Sequence, residues 1–242
     1  MRKTLAFSIG LVFCVSFLTA DIYIKQKTHT DEFSMMGQKT PASDTMNDFW
    51  IEKNKMAMLN DTMSFIIDLD KKVAIMISHE SKTYVEMAFP IDISEYLPAQ
   101  MAQMIGDVTA TVTPTGETQN VNKWKCNGYD VITSMDMMGM EMKTAMKVWA
   151  STDVPFDWKM FAEKMLQMLN PMMPMGQEAI NEFVKIKGWF IRTESTTNMM
   201  GTEMKSTMEV IDITKEAAPP GIYSPPEGYK KMDKLSMQDI KK

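Results

Sequence analysis

Apolar and polar residues alternate through much of this chain, and the alternation predicts strands. Asp21 to Thr30 alternates over its first half, as a half-buried strand does. Short strand-like runs follow at Met46 to Lys53, Lys55 to Leu59, Met63 to Leu69, Val73 to Ser78 and Thr83 to Phe89. Turn residues Asn60-Asp61 and Asp70-Lys71-Lys72 separate several of them, which predicts a meander of antiparallel neighbours. The period then changes. Ile93 to Gly106 carries apolar residues at helical spacing behind Ser94 as a cap, and Asp157 to Asn170 does so more clearly, with Trp158, Phe161, Met165 and Met168 in its stripe and Pro171 as its stop. A shorter helix is expected over Gln177 to Val184. Asp107 to Thr113 and Glu117 to Cys126 read as strands around a Pro114-Thr115-Gly116 turn.

A repeat punctuates the pattern. Asp136-Met137-Met138-Gly139-Met140-Glu141-Met142-Lys143 recurs as Asn198-Met199-Met200-Gly201-Thr202-Glu203-Met204-Lys205, and Ser34-Met35-Met36-Gly37 is a shorter version. Each runs from Asp, Asn or Ser to Gly three residues later, the chemistry of a type I turn ending in a left-handed Gly beside a bulge. Three hairpin tips are therefore expected. Flanking the first full copy, Tyr129, Val131, Thr133 and Met135 share one strand face, and Met140, Met142, Met146 and Val148 share another opposite Glu141, Lys143 and Lys147. Met204, Met208 and Val210 match Met142, Met146 and Val148 at a constant offset. The predicted fold is mainly β: a large curled antiparallel sheet or half-open barrel of about ten to twelve strands, with helices on its concave apolar face.

Composition narrows the chemistry. The chain has 29 methionines. Met packs as Leu does, and a stripe at strand spacing also serves as ordinary core. Its thioether, however, adapts to irregular apolar ligands and is a soft ligand for Cu(I). Residues 1–20 read as an export signal, with Arg2 and Lys3, an apolar core from Leu5 to Leu18, and Ala20 before the cut. That core is short of the roughly 20 residues of a membrane span. The net charge of −5 becomes more acidic once Arg2 and Lys3 leave, which argues against nucleic acid or an anionic membrane surface as partner. Only Cys126 then remains, so no internal disulfide is available.

No nucleophile sits beside a base in the sequence, His29 and His79 lack ligand spacing, and neither an enzyme nor a cofactor is predicted. The expected activity is binding of a hydrophobic small molecule or lipid, with an envelope protein as a further possible partner. The binding residues expected are Met140, Met142, Met146, Met204 and Met208 on the sheet, with Trp158, Phe161 and Met165 from a lid helix. The alternatives are soft-metal binding by the tips through Met137, Met138, Met199 and Met200, or a structural role in the envelope.

Thr115-Gly116-Glu117, Trp124-Lys125-Cys126, Tyr129, Val148-Trp149-Ala150, Lys187-Gly188 and Pro226-Glu227-Gly228-Tyr229 resemble, in order and rough spacing, an uncharacterised family of exported bacterial proteins. That family looks like a relative of the periplasmic lipoprotein carriers. The resemblance implies a half-open barrel around a hydrophobic cavity, in a periplasm. Lys123 stands where the family usually has Gly. The organisation expected is a signal peptide over 1–20, one carrier-like β domain over 21–229, and a loose Lys-rich tail over 230–242.

Overall fold

A computed structural model of the chain describes residues 21–35, 37–89, 91, 93–96, 108–137, 140–160, 162, 175–199 and 201–234. The first part is a short-strand meander: β1 (Asp21–Thr30), β2 (Phe33–Met35), β3 (Gln38–Thr40), β4 (Ser43–Ile51), β5 (Lys55–Leu59), β6 (Met63–Asp68), β7 (Val73–Ser78) and β8 (Thr83–Ala88), then a helical turn, α1 (Ile93–Tyr96). Long strands follow: β9 (Val108–Val121), β10 (Trp124–Met137) and β11 (Met140–Ser151), then helix α2 (Gln177–Phe183), β12 (Trp189–Met199), β13 (Thr202–Glu216) and β14 (Lys230–Met232).

Twelve strands form one sheet in the order β14, β8, β7, β6, β5, β4, β1, β13, β12, β11, β10, β9, and β2 pairs with β3 apart from it. Strand β1 joins the two meanders, pairing antiparallel with β4 on one side and β13 on the other. The sheet does not close, since β9 and β14 are its two ends. Side chains nevertheless bridge the curl. The turn between β9 and β10 reaches β13, two strands beyond its neighbour β11: Asn122 Nδ2 donates to Glu209 Oε1 at 3.0 Å and to the Val210 carbonyl at 3.2 Å, and Lys123 pairs with Asp212 at 2.6 Å.

Three irregularities bend the sheet. Ile191 is an extra residue in β12 against β11, and Ile211 is one in β13 against β1. In β9, Thr115, Gly116 and Glu117 together oppose Gly128. Bulges of this kind increase local twist and re-aim side chains. The expected turn at Pro114-Thr115-Gly116 is therefore corrected to a bulge inside one continuous strand. Gly116 takes a φ of +75°, and Thr115 Oγ1 donates to the Gly128 carbonyl at 3.0 Å. The true reversal is Asn122-Lys123, between the paired residues Val121 and Trp124. Asn122 carries the positive φ there, at 50°. Lys123 does not need the Gly that the resemblance led us to expect.

The curl is filled at its base. Ile22, Ile24, Ile51, Phe65, Ile67 and Met87 from the first meander pack with Trp124, Cys126, Trp149, Ile191, Val210 and Ile213 from the second. Strands far apart in the sheet thus share one core. On the opposite face of the first meander, Trp50, Ala57, Ile66, Ile75 and Ile77 are covered by Ile222, Tyr223 and Tyr229 of the C-terminal segment. This two-sided burial explains why Phe65, Ile66 and Ile67 are apolar in succession and why every residue of β6 from Ser64 to Asp68 is buried.

Helix α2 bears out the short helix expected over Gln177 to Val184. It packs with Phe183 and Ile186 on Val112, Tyr129, Val131 and Val148, beside the β9 edge. The expected helix over Ile93 to Gly106 begins as α1, and its remainder lies outside the described residues. The expected lid helix over Asp157 to Asn170 is helical at 158–160, with the rest mostly outside them. Lys230–Met232, expected in a loose tail, instead forms β14, parallel to β8. Residues 1–20 also lie outside the described set.

Candidate functional site

Register brings the two copies of the repeat together. Hairpin β10–β11 pairs Met137 with Met140, and β12–β13 pairs Met199 with Thr202. Because β11 pairs with β12, the two hairpins are neighbours with their tips at the same end. The third tip joins them: β2–β3 pairs Met35 with Gln38, and Thr202 Oγ1 donates to the Ser34 carbonyl at 3.1 Å. In all three, two residues connect directly paired strand ends. The expected type I turn with a bulge is corrected to this shorter form, in which Gly37 and Gly201 hold φ of +80° and +77°.

From these tips downward, paired residues form rows across one sheet face. Met135 opposes Met142, one row from the end. Next come Thr133, Thr144, Thr197 and Met204, then Val131, Met146, Ser195 and Ser206, then Tyr129, Val148, Thr193 and Met208. Met142, Met146, Met204 and Met208 are all half-buried on this face. Met146 packs against the α2 cluster and Met208 against the central core. Between them runs a hydroxyl strip, with Thr144 and Thr197 bonded at 2.9 Å and Ser195 and Ser206 at 2.7 Å. Thr193 Oγ1 is buried without a hydrogen-bond partner. Met140 occupies the expected register position. Trp158 is half-buried in the helical turn at 158–160, while Phe161, Met165, Met138 and Met200 lie outside the described residues.

The opposite face of the same strands is charged and concave. Asp130, Lys147, Arg192, Glu194 and Lys205 line an open groove of about 720 Å³ with Ala145 and Thr196. Its charges are paired: Lys147 with Glu117 and Asp130, and Arg192 with Glu194 at 2.8 Å and Glu209 at 3.8 Å. The Lys147 ammonium holds the Glu117 carboxyl below its usual range. Concavity near the tips therefore belongs to the wet face. The bulges at Ile191 and Ile211 change which residues of a strand face the curl, and strict alternation does not reveal that.

Sequence reading missed a polar triad. Ser64 Oγ lies 2.7 Å from His79 Nε2, and His79 Nδ1 lies 3.0 Å from the Tyr229 hydroxyl. Ser64 is only 1% exposed, so its hydroxyl is not presented to a substrate. The third member is a phenol rather than a carboxylate, and the arrangement ties the C-terminal segment to β6 and β7. The separation of 150 positions between His79 and Tyr229 left no local signal. Cys126 is fully buried, and burial raises its thiol pKa, which suits a small apolar core residue rather than a nucleophile.

Among the described residues no three His, Cys, Asp or Glu side chains gather as a metal site, and no helix is long and apolar enough to cross a membrane. The residues define a class of protein: a mainly antiparallel twelve-stranded open sheet, curled over its own core, with a methionine and hydroxyl face at one end. The chain belongs to a family described as a domain of unknown function (DUF4412), which matches residues 21–229. No curated protein matches the chain.

Proposed function

We propose that this chain is a non-enzymatic periplasmic binding protein that receives a hydrophobic ligand on the methionine face of β10–β13. The ligand class is an acyl chain, a lipid or a lipidated envelope partner. The observation that carries this reading is the set Met142, Met146, Met204 and Met208, half-exposed on one face of β11 and β13, the two strands that flank β12. Unbranched thioethers mould to an irregular apolar surface more readily than branched side chains do. The neighbouring hydroxyls of Thr193, Ser195, Thr197 and Ser206 suit an amphipathic ligand, with its chain on the methionines and its polar end on the strip. Binding is superficial rather than enclosed, because the concave groove of these strands lies on their opposite, charged face. The export-like leader and the resemblance to periplasmic lipoprotein carriers support the compartment and the cargo class.

Native mass spectrometry of protein purified from its own envelope tests the reading. An added mass in the lipid range, lost from the Met142→Lys variant, is expected. A clean unliganded mass, with no saturable uptake of a fluorescent fatty acid, would overturn it.

A further inference from the structure

We infer that the tip end of the sheet is a soft-metal site, taking Cu(I) through the thioethers of Met135, Met142 and Met199. This goes beyond the apolar-ligand reading and uses a different property of the same side chains. Met135 directly opposes Met142. Met142 and Met199 each stand one residue beyond Lys143 and Asn198, the last pair of that ladder, so its register carried on by one residue sets them opposite each other. Opposed residues share a face, so the three methionines form a row across three adjacent strands. Strands stand about 4.8 Å apart, and a Met sulfur extends two carbons from its α-carbon, so three sulfurs reach one ion held above Met142. All three are half-buried, reachable from solvent yet partly shielded from it.

The rest of the chain favours a soft ion. Among the described residues no three His, Cys, Asp or Glu side chains gather to hold a harder one. His29 is already engaged on both ring nitrogens, by Asp31 at 3.2 Å and Asp44 at 2.8 Å, and Cys126 is sealed in the core. Neutral thioethers suit Cu(I), which gains little from carboxylates or carbonyls. They also carry no proton in the physiological range. Binding through them is therefore insensitive to mild acid, unlike a His or Cys site, whose ligands must first lose a proton.

The test is transfer of Cu(I) from a chromogenic chelator to the purified full chain, with Ag(I) as a redox-inert probe of the methionine methyl resonances. Expected are one bound ion, the same affinity at neutral and mildly acidic pH, and shifts of the methyl signals of Met135, Met142 and Met199. Replacing all three by Leu, which keeps the apolar surface, weakens Cu(I) binding by at least about tenfold in a variant whose thermal melt shows it folded. No transfer from the chelator, undiminished binding by a folded triple variant, or affinity that collapses in mild acid would each overturn the inference. Should the triple variant fail to fold, the Ag(I) methyl shifts of the unaltered protein decide alone: shifts confined to other methionines overturn it.

Discussion

The Tyr229 hydroxyl sits 3.0 Å from His79 Nδ1, and their rings meet edge to face with centroids 5.8 Å apart. This contact fastens the C-terminal segment, whose Ile222 and Tyr223 cover the second face of β5–β7. Tyr229→Phe removes the hydrogen bond and keeps the ring, and should cost about 1 kcal/mol. His79→Ala also strands the buried Ser64 hydroxyl and should cost roughly 1–3 kcal/mol. Urea denaturation of the two variants checks the order, with His79→Ala the less stable.

Gly188 begins the approach to β12 at a φ of +118°, and a β-carbon there would lie 2.5 Å from the backbone carbon and oxygen of Ser151. Neither a flexible side chain nor a rotamer change relieves a clash with backbone. Gly188→Ala should therefore destabilise by about 2 kcal/mol or more, combining strain with overpacking, and Gly116→Ala by less because open space surrounds its position. Thermal melts of both variants make the comparison.

On the methionine face, charge and size separate two effects. Met204→Lys should abolish fatty-acid uptake while leaving the fold intact, since Met204 is half-buried between Thr197 and solvent. Met204→Leu should preserve uptake within a few-fold, as a swap of similar volume. Titration with a fluorescent fatty acid reads both, and equal uptake by the Lys variant would place the ligand elsewhere.

Several carboxylates have folded-state pKa values below their ordinary range: Glu117 through Lys147, Asp212 through Lys123, and Glu182 through Lys185 and the Val112 N–H. A depressed folded pKa means the unfolded chain binds protons first. The stability these groups contribute is present above their unfolded values, about 4, and is lost as pH falls through the folded ones. The raised values of Lys147, Lys205 and Lys231 act oppositely, with stability present below the unfolded lysine pKa and lost as pH rises through the folded one. Unfolding free energy should thus be flat through neutrality and fall in acid, with a shallower acid slope in Glu182→Gln. Denaturant midpoints measured across pH test this.

Much of the fold was legible where alternation was clean. Asp21–Thr30, Lys55–Leu59 and Val73–Ser78 are strands over the residues that the pattern indicates. The internal repeat correctly marked two hairpins with matched register. Pro114-Thr115-Gly116 misled because the residues that make a turn also make a bulge, and only a partner strand distinguishes them. Lys230–Met232 carries no apolar pattern and joins the sheet through backbone pairing with β8 and the ion pair of Lys231 with Glu86, a partner 145 positions away. Of the site, the shared face of Met142, Met146, Met204 and Met208 was readable from spacing. The charged groove was not, because the extra residues Ile191 and Ile211 reset which side chains face inward. The motif residues Trp124, Cys126, Trp149 and Gly188 prove to be core and close backbone contacts, which explains why they spoke to fold rather than to chemistry.

Glu182 does more than anchor its helix. Its Oε2 accepts the Val112 N–H at 2.7 Å, a donor on the outermost strand that has no further strand to meet. Farther along, Pro114 has no N–H to offer, and the bulge at Thr115, Gly116 and Glu117 breaks the straight run. An exposed strand of this length is otherwise a template on which another copy can zip, the first step toward fibres. The rim of this sheet is thus guarded against its own kind, by a carboxylate on a two-turn helix, a bridge from Met175 to Val108, and a proline with a bulge beyond them.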